Sequence, residues 1–182
     1  MQKKFATKTI VEGGLLVALS FVLGQIKLFH MPQGGSVTLG LMIPIFIFAL
    51  RHGVYPGIIA GVVLGLLKLA IGGYVVGFWQ VFLDYPVAFG MLGLAGLFSK
   101  KFKETKSITP VLEGALVGTL GRFVAAVLSG VIFFADYAGD QNPWVYSMTY
   151  NITYLGVELV IAILVIYLLR SFIIRDLSKE NF

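Results

Sequence analysis

Thr109-Pro-Val-Leu-Glu-Gly-Ala-Leu-Val-Gly-Thr-Leu-Gly-Arg-Phe-Val-Ala-Ala-Val-Leu-Ser-Gly-Val-Ile-Phe-Phe134 is a long apolar run interrupted only by the ionisable Glu113 and Arg122. A helix of about 20 apolar residues crosses a hydrocarbon core about 30 Å thick, and this stretch is long enough. Five more apolar stretches surround it, at 10–28, 37–50, 54–71, 78–98 and 148–169. Over the 182 residues, 58% are hydrophobic and 13% charged, with a mean hydropathy of +0.90. A soluble domain carries about 25% charged residues, so this chain cannot cover a water-facing surface with polar groups. The expectation is an all-α integral membrane protein, a single membrane domain over 1–182 with six transmembrane helices. The stretch at 37–50 is short and contains Pro44, which predicts a broken or re-entrant helix. The first stretch is no cleavable signal, because its apolar run is too long and Glu12 lies within it.

Charge placement sets the orientation. Lys3, Lys4, Lys8, Arg51, Lys100, Lys101, Lys103, Lys106, Arg170, Arg175 and Lys179 fall on one side of a six-span chain. The opposite loops, 30–36, 72–77 and 135–147, hold no Lys or Arg, and Asp136 and Asp140 lie among them. The positive-inside rule then places the N and C termini in the cytoplasm. The net charge of +5 is thereby a topology signal, and nucleic acid drops out as a partner. With no cysteine and two histidines, His30 and His52, the chain offers neither a thiolate nor a histidine metal site.

Ionisable residues inside spans are costly and need a partner or a purpose. Glu12 and Glu113 are close enough to the cytoplasmic ends to reach headgroups, and Lys27 can snorkel outward. Arg122 and Glu158 share a depth near the midplane, which favours a buried ion pair between two helices. Asp84 lies near the outer mouth of the fourth span, with Lys68 at similar depth. Either the two pair, or Asp84 is an anion facing an outward-open cavity beside Gln80 and Tyr85. Tyr146, Tyr150, Asn151 and Tyr154 recur at i, i+4, i+5 and i+8, on one helix face at the same outer level. An anion, ring faces and amides together suit a flat cationic or hydrogen-bonding ligand. The lack of basic residues in the outer loops removes electrostatic repulsion at the entrance. Glycines at 57, 61 and 65 and at 114 and 118 predict close helix packing, and Gly14-x-x-x-Ala18 is a third small-residue stripe.

Four segments extend this reading: Met31-Pro-Gln-Gly-Gly-Ser-Val37, Leu83-Asp-Tyr-Pro-Val-Ala-Phe89, Ser129-Gly-Val-Ile-Phe-Phe134 and Tyr146-Ser-Met-Thr-Tyr-Asn151. In this order they resemble the thiamine-specific S component, the substrate-binding subunit, of energy-coupling factor (ECF) vitamin transporters. The resemblance implies an ECF S-component-like bundle in a bacterial plasma membrane, with a site near the outer face under a lid formed by the first outer loop. It implies that Asp84, Tyr85, Gly130, Phe134, Tyr146 and Asn151 bind substrate, to which the spacing adds Gln80, Tyr150 and Tyr154. It also implies a membrane coupling subunit, docked on Gly14 and Ala18, and two cytoplasmic ATPases as partners, with no cofactor of the chain's own. In agreement, the sequence has no Walker A run. Relatives often carry a histidine where this chain has Ala126, and a lid tryptophan where it has Gly34–Gly35. These departures leave a thiamine precursor, a hydroxymethylpyrimidine or thiazole, as an alternative cargo. A self-sufficient secondary transporter would need an inverted repeat, and none is evident. An intramembrane enzyme would need a nucleophile or metal set that the spans lack.

Overall fold

A computed structural model of the protein describes residues 6–32 and 34–178, with side chains as far as Arg175. Lys3, Lys4, Gln33 and Lys179, named above, lie outside the described residues. Helix α1 spans Thr7–Leu23, followed by α2 at Ile43–His52, α3 at Val54–Ala70 and α4 at Phe78–Thr105. Helix α5 spans Thr109–Phe133, α6 Pro143–Leu168 and α7 Arg170–Ser178. Among the described residues, α4, α5 and α6 are long and apolar enough to cross a membrane; α2 and α3 are apolar but shorter. At 17 residues each, α1 and α3 lie at the short end of the ~17–25 residues a span requires.

The apolar stretches at 10–28 and 37–50 are not helical throughout. Helix α1 stops at Gly24, and the chain forms an antiparallel hairpin from β1 (Lys27–His30) and β2 (Ser36–Thr38). Pro32 cannot donate to a helical ladder, and Gly34 sits at φ +93°, a conformation that favours glycine. Met31 N–H donates to the Gly35 carbonyl at 2.8 Å and closes the tip. Pro44 does not interrupt a helix. It occupies the first turn of α2, where its missing N–H has no intrahelical partner to lose. The second span is thus a short helix entered through a strand, consistent with a broken element.

Helices α3 and α4 meet backbone to backbone. A Cβ on Gly61 would run into the Phe89 carbonyl, one on Gly65 into the Tyr85 carbonyl, and one on Gly93 into Ile58 N. Gly114 and Gly118 bring α5 against Ala95 and Leu92 in the same way. Both glycine series therefore serve internal packing. The Gly14–Ala18 stripe does not: both residues are exposed, and no atom lies within 4 Å of where a Gly14 Cβ would stand. On its opposite face α1 buries Gly13, Val17 and Ser20.

At the end of the bundle rich in Lys and Arg, Glu12 accepts from Arg51 and lies 3.0 Å from His52 Nε2. Glu113 pairs with Lys101 at 2.7 Å. Both glutamates are accounted for by basic neighbours on adjacent helices instead of headgroups. This charged end faces the cytoplasm by the positive-inside rule. Asp140 and Lys103 are exposed at opposite ends. Asp140→Cys should react with an impermeant thiol reagent added to intact cells, and Lys103→Cys should react only after lysis. Labelling of Lys103→Cys in intact cells would reverse the orientation.

Candidate substrate-binding cavity

Within α4 the helix changes pitch. Residues Leu83–Val87 form a π-helical turn around Pro86, which has no N–H for the ordinary bond. The wider turn carries Asp84 and Tyr85 toward a cavity of about 400 Å³, within the range of about 300–1,000 Å³ typical of small-molecule sites. From α5 the wall receives Arg122, Ala126 and Gly130, successive at four residues, with Phe134 four further on. From α6 it receives Tyr146, Tyr150, Asn151 and Tyr154. The hairpin closes over them with Lys27, Met31, Gly34 and Gly35.

All nine residues singled out in the sequence, including Gln80, border this one cavity. Their present bonds differ. Gln80 is buried, and its amide donates to Asp84 Oδ2 at 2.6 Å and to the Tyr74 carbonyl at 3.2 Å, while its Oε1 accepts from Val76 N–H at 2.9 Å. It is a bracket for Asp84. Tyr85 Oη donates to the same Tyr74 carbonyl at 3.2 Å. Asn151 Nδ2 donates to the Ser147 carbonyl at 2.9 Å, and its Oδ1 accepts from Tyr154 Oη at 2.9 Å. Gly130 leaves room for Ser147 Oγ, which would collide with any Cβ there. The tyrosines form a ladder: Tyr146 and Tyr150 stack at 6.2 Å, and Tyr150 meets Tyr154 edge-on at 5.9 Å. Phe134 lies between Tyr74 at 5.9 Å and Tyr137 at 6.0 Å.

Asp84 and Lys68 do not form an ion pair among the described residues. Lys68 Nζ donates instead to the Gly24 carbonyl at 3.2 Å, where α1 ends. Arg122 and Glu158 do pair, Nη1 to Oε2 at 3.1 Å, and the guanidinium lies 4.3 Å from the centre of the Phe89 ring. Asp84 is thus the one carboxylate among the described lining residues, held by an amide and by no direct cation.

The entrance is not free of basic groups, as the loop boundaries had implied. With α1 ending at Gly24, Lys27 belongs to the outer hairpin, and it lines the cavity together with Lys68. Tyr74 was not expected either. It borders the cavity from the α3–α4 loop, brackets Gln80 and Tyr85, and its hydroxyl lies 3.1 Å from that of Tyr137. That hydrogen bond raises the Tyr137 phenol above its ordinary pKa and keeps the contact neutral. A turn signal, Gly72-Gly73-Tyr74, marked the loop but not the inward side chain.

Residues 10–177 match the family model described as "Thiamine transporter protein (Thia_YuaJ)". The chain belongs to this thiamine transporter family. It is similar to the thiamine transporter ThiT of Bacillus subtilis (strain 168), 36% identical over 183 residues, which cover 94% of this chain and 95% of the relative. It also resembles the thiamine transporter ThiT of Lacticaseibacillus paracasei, 31% identical over 164 residues, 83% of this chain and 81% of the relative. A solved structure of ThiT from Listeria monocytogenes superposes with a TM-score of 0.76 at 24% identity, covering 94% of this chain and 95% of that one, and establishes the shared fold. Family membership and the apolar helices make this a multi-pass plasma-membrane transport protein and not an enzyme.

Proposed function

We propose that the chain captures thiamine at the outer face of the plasma membrane as the substrate-binding subunit of an ECF-type transporter. The observation that carries this reading is Asp84, a membrane-embedded carboxylate beside tyrosine faces with no direct cationic partner. A carboxylate in such a place is costly unless a cation completes it, and the thiazolium ring of thiamine is permanently charged. The three basic residues in the wall do not cancel it directly: Arg122 is paired with Glu158 and Lys68 sits on a carbonyl. Ring faces on Tyr146, Tyr150 and Phe134 add cation–π and stacking contacts of about 0.5–2 kcal/mol each.

Binding needs no ATP in this reading, and the sequence has no phosphate-binding loop to hold it. Energy for uptake then comes from two cytoplasmic ATPases acting through a membrane coupling subunit. The exposed Gly14–Ala18 stripe suits that subunit, since helices in lipid associate where small residues let backbones approach. Titration of the purified chain with thiamine, without nucleotide or partners, should show saturable one-to-one binding by calorimetry. Binding of a hydroxymethylpyrimidine or thiazole in place of thiamine would keep the architecture and change the cargo, with Ala126 as the first position to examine. Uptake by vesicles holding this chain alone would sink the ECF assignment.

A further inference from the structure

We propose that Glu158 is a positioning residue of this site: through Thr38 it fastens the outer hairpin over the cavity and so sets how fast ligand enters and leaves. Glu158 lies in α6 and is only 3% exposed. One carboxylate oxygen, Oε1, accepts both the Thr38 N–H at 3.1 Å and the Thr38 hydroxyl. The other, Oε2, accepts from Arg122, whose side chain also lines the cavity. A single buried carboxylate is thus shared between the cavity wall and the hairpin.

Thr38 is the last residue of β2, and its own hydroxyl oxygen accepts from Leu41 N–H at 3.4 Å as the chain turns toward α2. Beyond this root, the underside of the hairpin is mostly apolar. Val37 packs with Ala126, Tyr154 and Leu155, and a Cβ on Gly35 would stand 2.9 Å from the Tyr154 ring. At the tip, Gly35 N–H reaches Tyr150 Oη at 3.2 Å, at the long end for an N–H···O bond. Charge-assisted bonds in a buried setting are the strong ones, and they sit at the root. Lifting β2 removes two donors from a buried anion, which opposes opening. Arg122 remains in place to hold the carboxylate charged and oriented, so the same bonds can re-form on closing.

The ligand kinetics below rest on the reading of thiamine as cargo; the labelling measurement does not. Because the chain has no cysteine, Ala126→Cys supplies a single thiol beneath the hairpin. In the purified, ligand-free protein, Thr38→Val removes the hydroxyl while leaving the Arg122–Glu158 pair intact. It should raise the thiol labelling rate roughly three- to tenfold, the loss of one buried hydrogen bond. Thr38→Ser, which keeps the hydroxyl, should return the rate to that of the parent. In the cysteine-free chain, association and dissociation of thiamine should both accelerate in Thr38→Val, with the dissociation constant changing less than either rate. Unchanged labelling in Thr38→Val overturns the proposal, as does an equal increase in Thr38→Ser. So does faster dissociation with association unaltered, because that pattern is damage to the wall and not a loosened hairpin. If the parent fails to bind thiamine, the cargo assignment falls while the labelling still decides the role of the hairpin.

Discussion

Gly14→Leu should abolish thiamine uptake in cells that contain the complete transporter, while thiamine binding by the purified chain stays at the parent value. The direction follows from where the side chain would go. No atom lies within 4 Å of the added Cβ, and Val11, Leu15, Leu19 and Val22 already expose apolar surface on the same side of α1. Within the isolated protein the change is therefore tolerated, and leucine is a better helix former than glycine by about 1 kcal/mol. For a partner helix the consequence is the opposite. Small residues set the distance of closest approach in lipid, and a leucine in the contact separates the two backbones. Ala18→Leu, one turn further, should behave alike. Parallel measurement of uptake and of calorimetric binding separates the possibilities. Retained uptake would place the docking surface elsewhere, and lost binding would mean that α1 transmits strain to the cavity.

Asp84→Asn should weaken thiamine by about one to two decades, corresponding to the ~1.5–3 kcal/mol of a charge-assisted contact. The replacement is nearly isosteric, and the Gln80 amide can still donate to the remaining oxygen, so the pocket keeps its shape. A neutral analogue without the ring charge should bind the parent poorly and lose little more in the variant. Equal losses for thiamine and the neutral analogue would make Asp84 a structural partner of Gln80. Lys68 is no rival for that role, because its ammonium is engaged with the Gly24 carbonyl.

Much of this was legible because a bilayer is a demanding solvent. Each polar residue inside a span needs a reason, so Arg122 and Glu158 could be paired from depth alone, and the pair forms. Tyrosines at four-residue spacing had to share a face on any helix, and they stack into one ladder. What escaped was local and long-range detail at the outer surface. Residues 24–28 and 37–41 are apolar enough to prolong the spans, so hydropathy hid the hairpin. Pro32 and Gly34–Gly35 between two short alternating runs were the turn signal that outweighed it. Missing the hairpin placed Lys27 in a helix and left the entrance apparently free of cations. Nor could spacing reveal that the amides of Gln80 and Asn151 already have partners across 4 and 6 residues, or that Lys68 reaches a carbonyl 44 residues away.

The glycine seam between α3 and α4 has a mechanical meaning. With backbone touching backbone at Gly61, Gly65 and Gly93, the two helices have no cushion of side chains that could shear. Sliding by one residue, about 1.5 Å, would drive a carbonyl into a Cα. They behave as one stiff beam, and Asp84 and Tyr85 are mounted on it. Freedom to travel is left to the parts that lack such a weld, above all the hairpin, whose underside rests on tyrosine rings. The carboxylate is the anvil of this device and stays put, while the closing stroke comes from the other side.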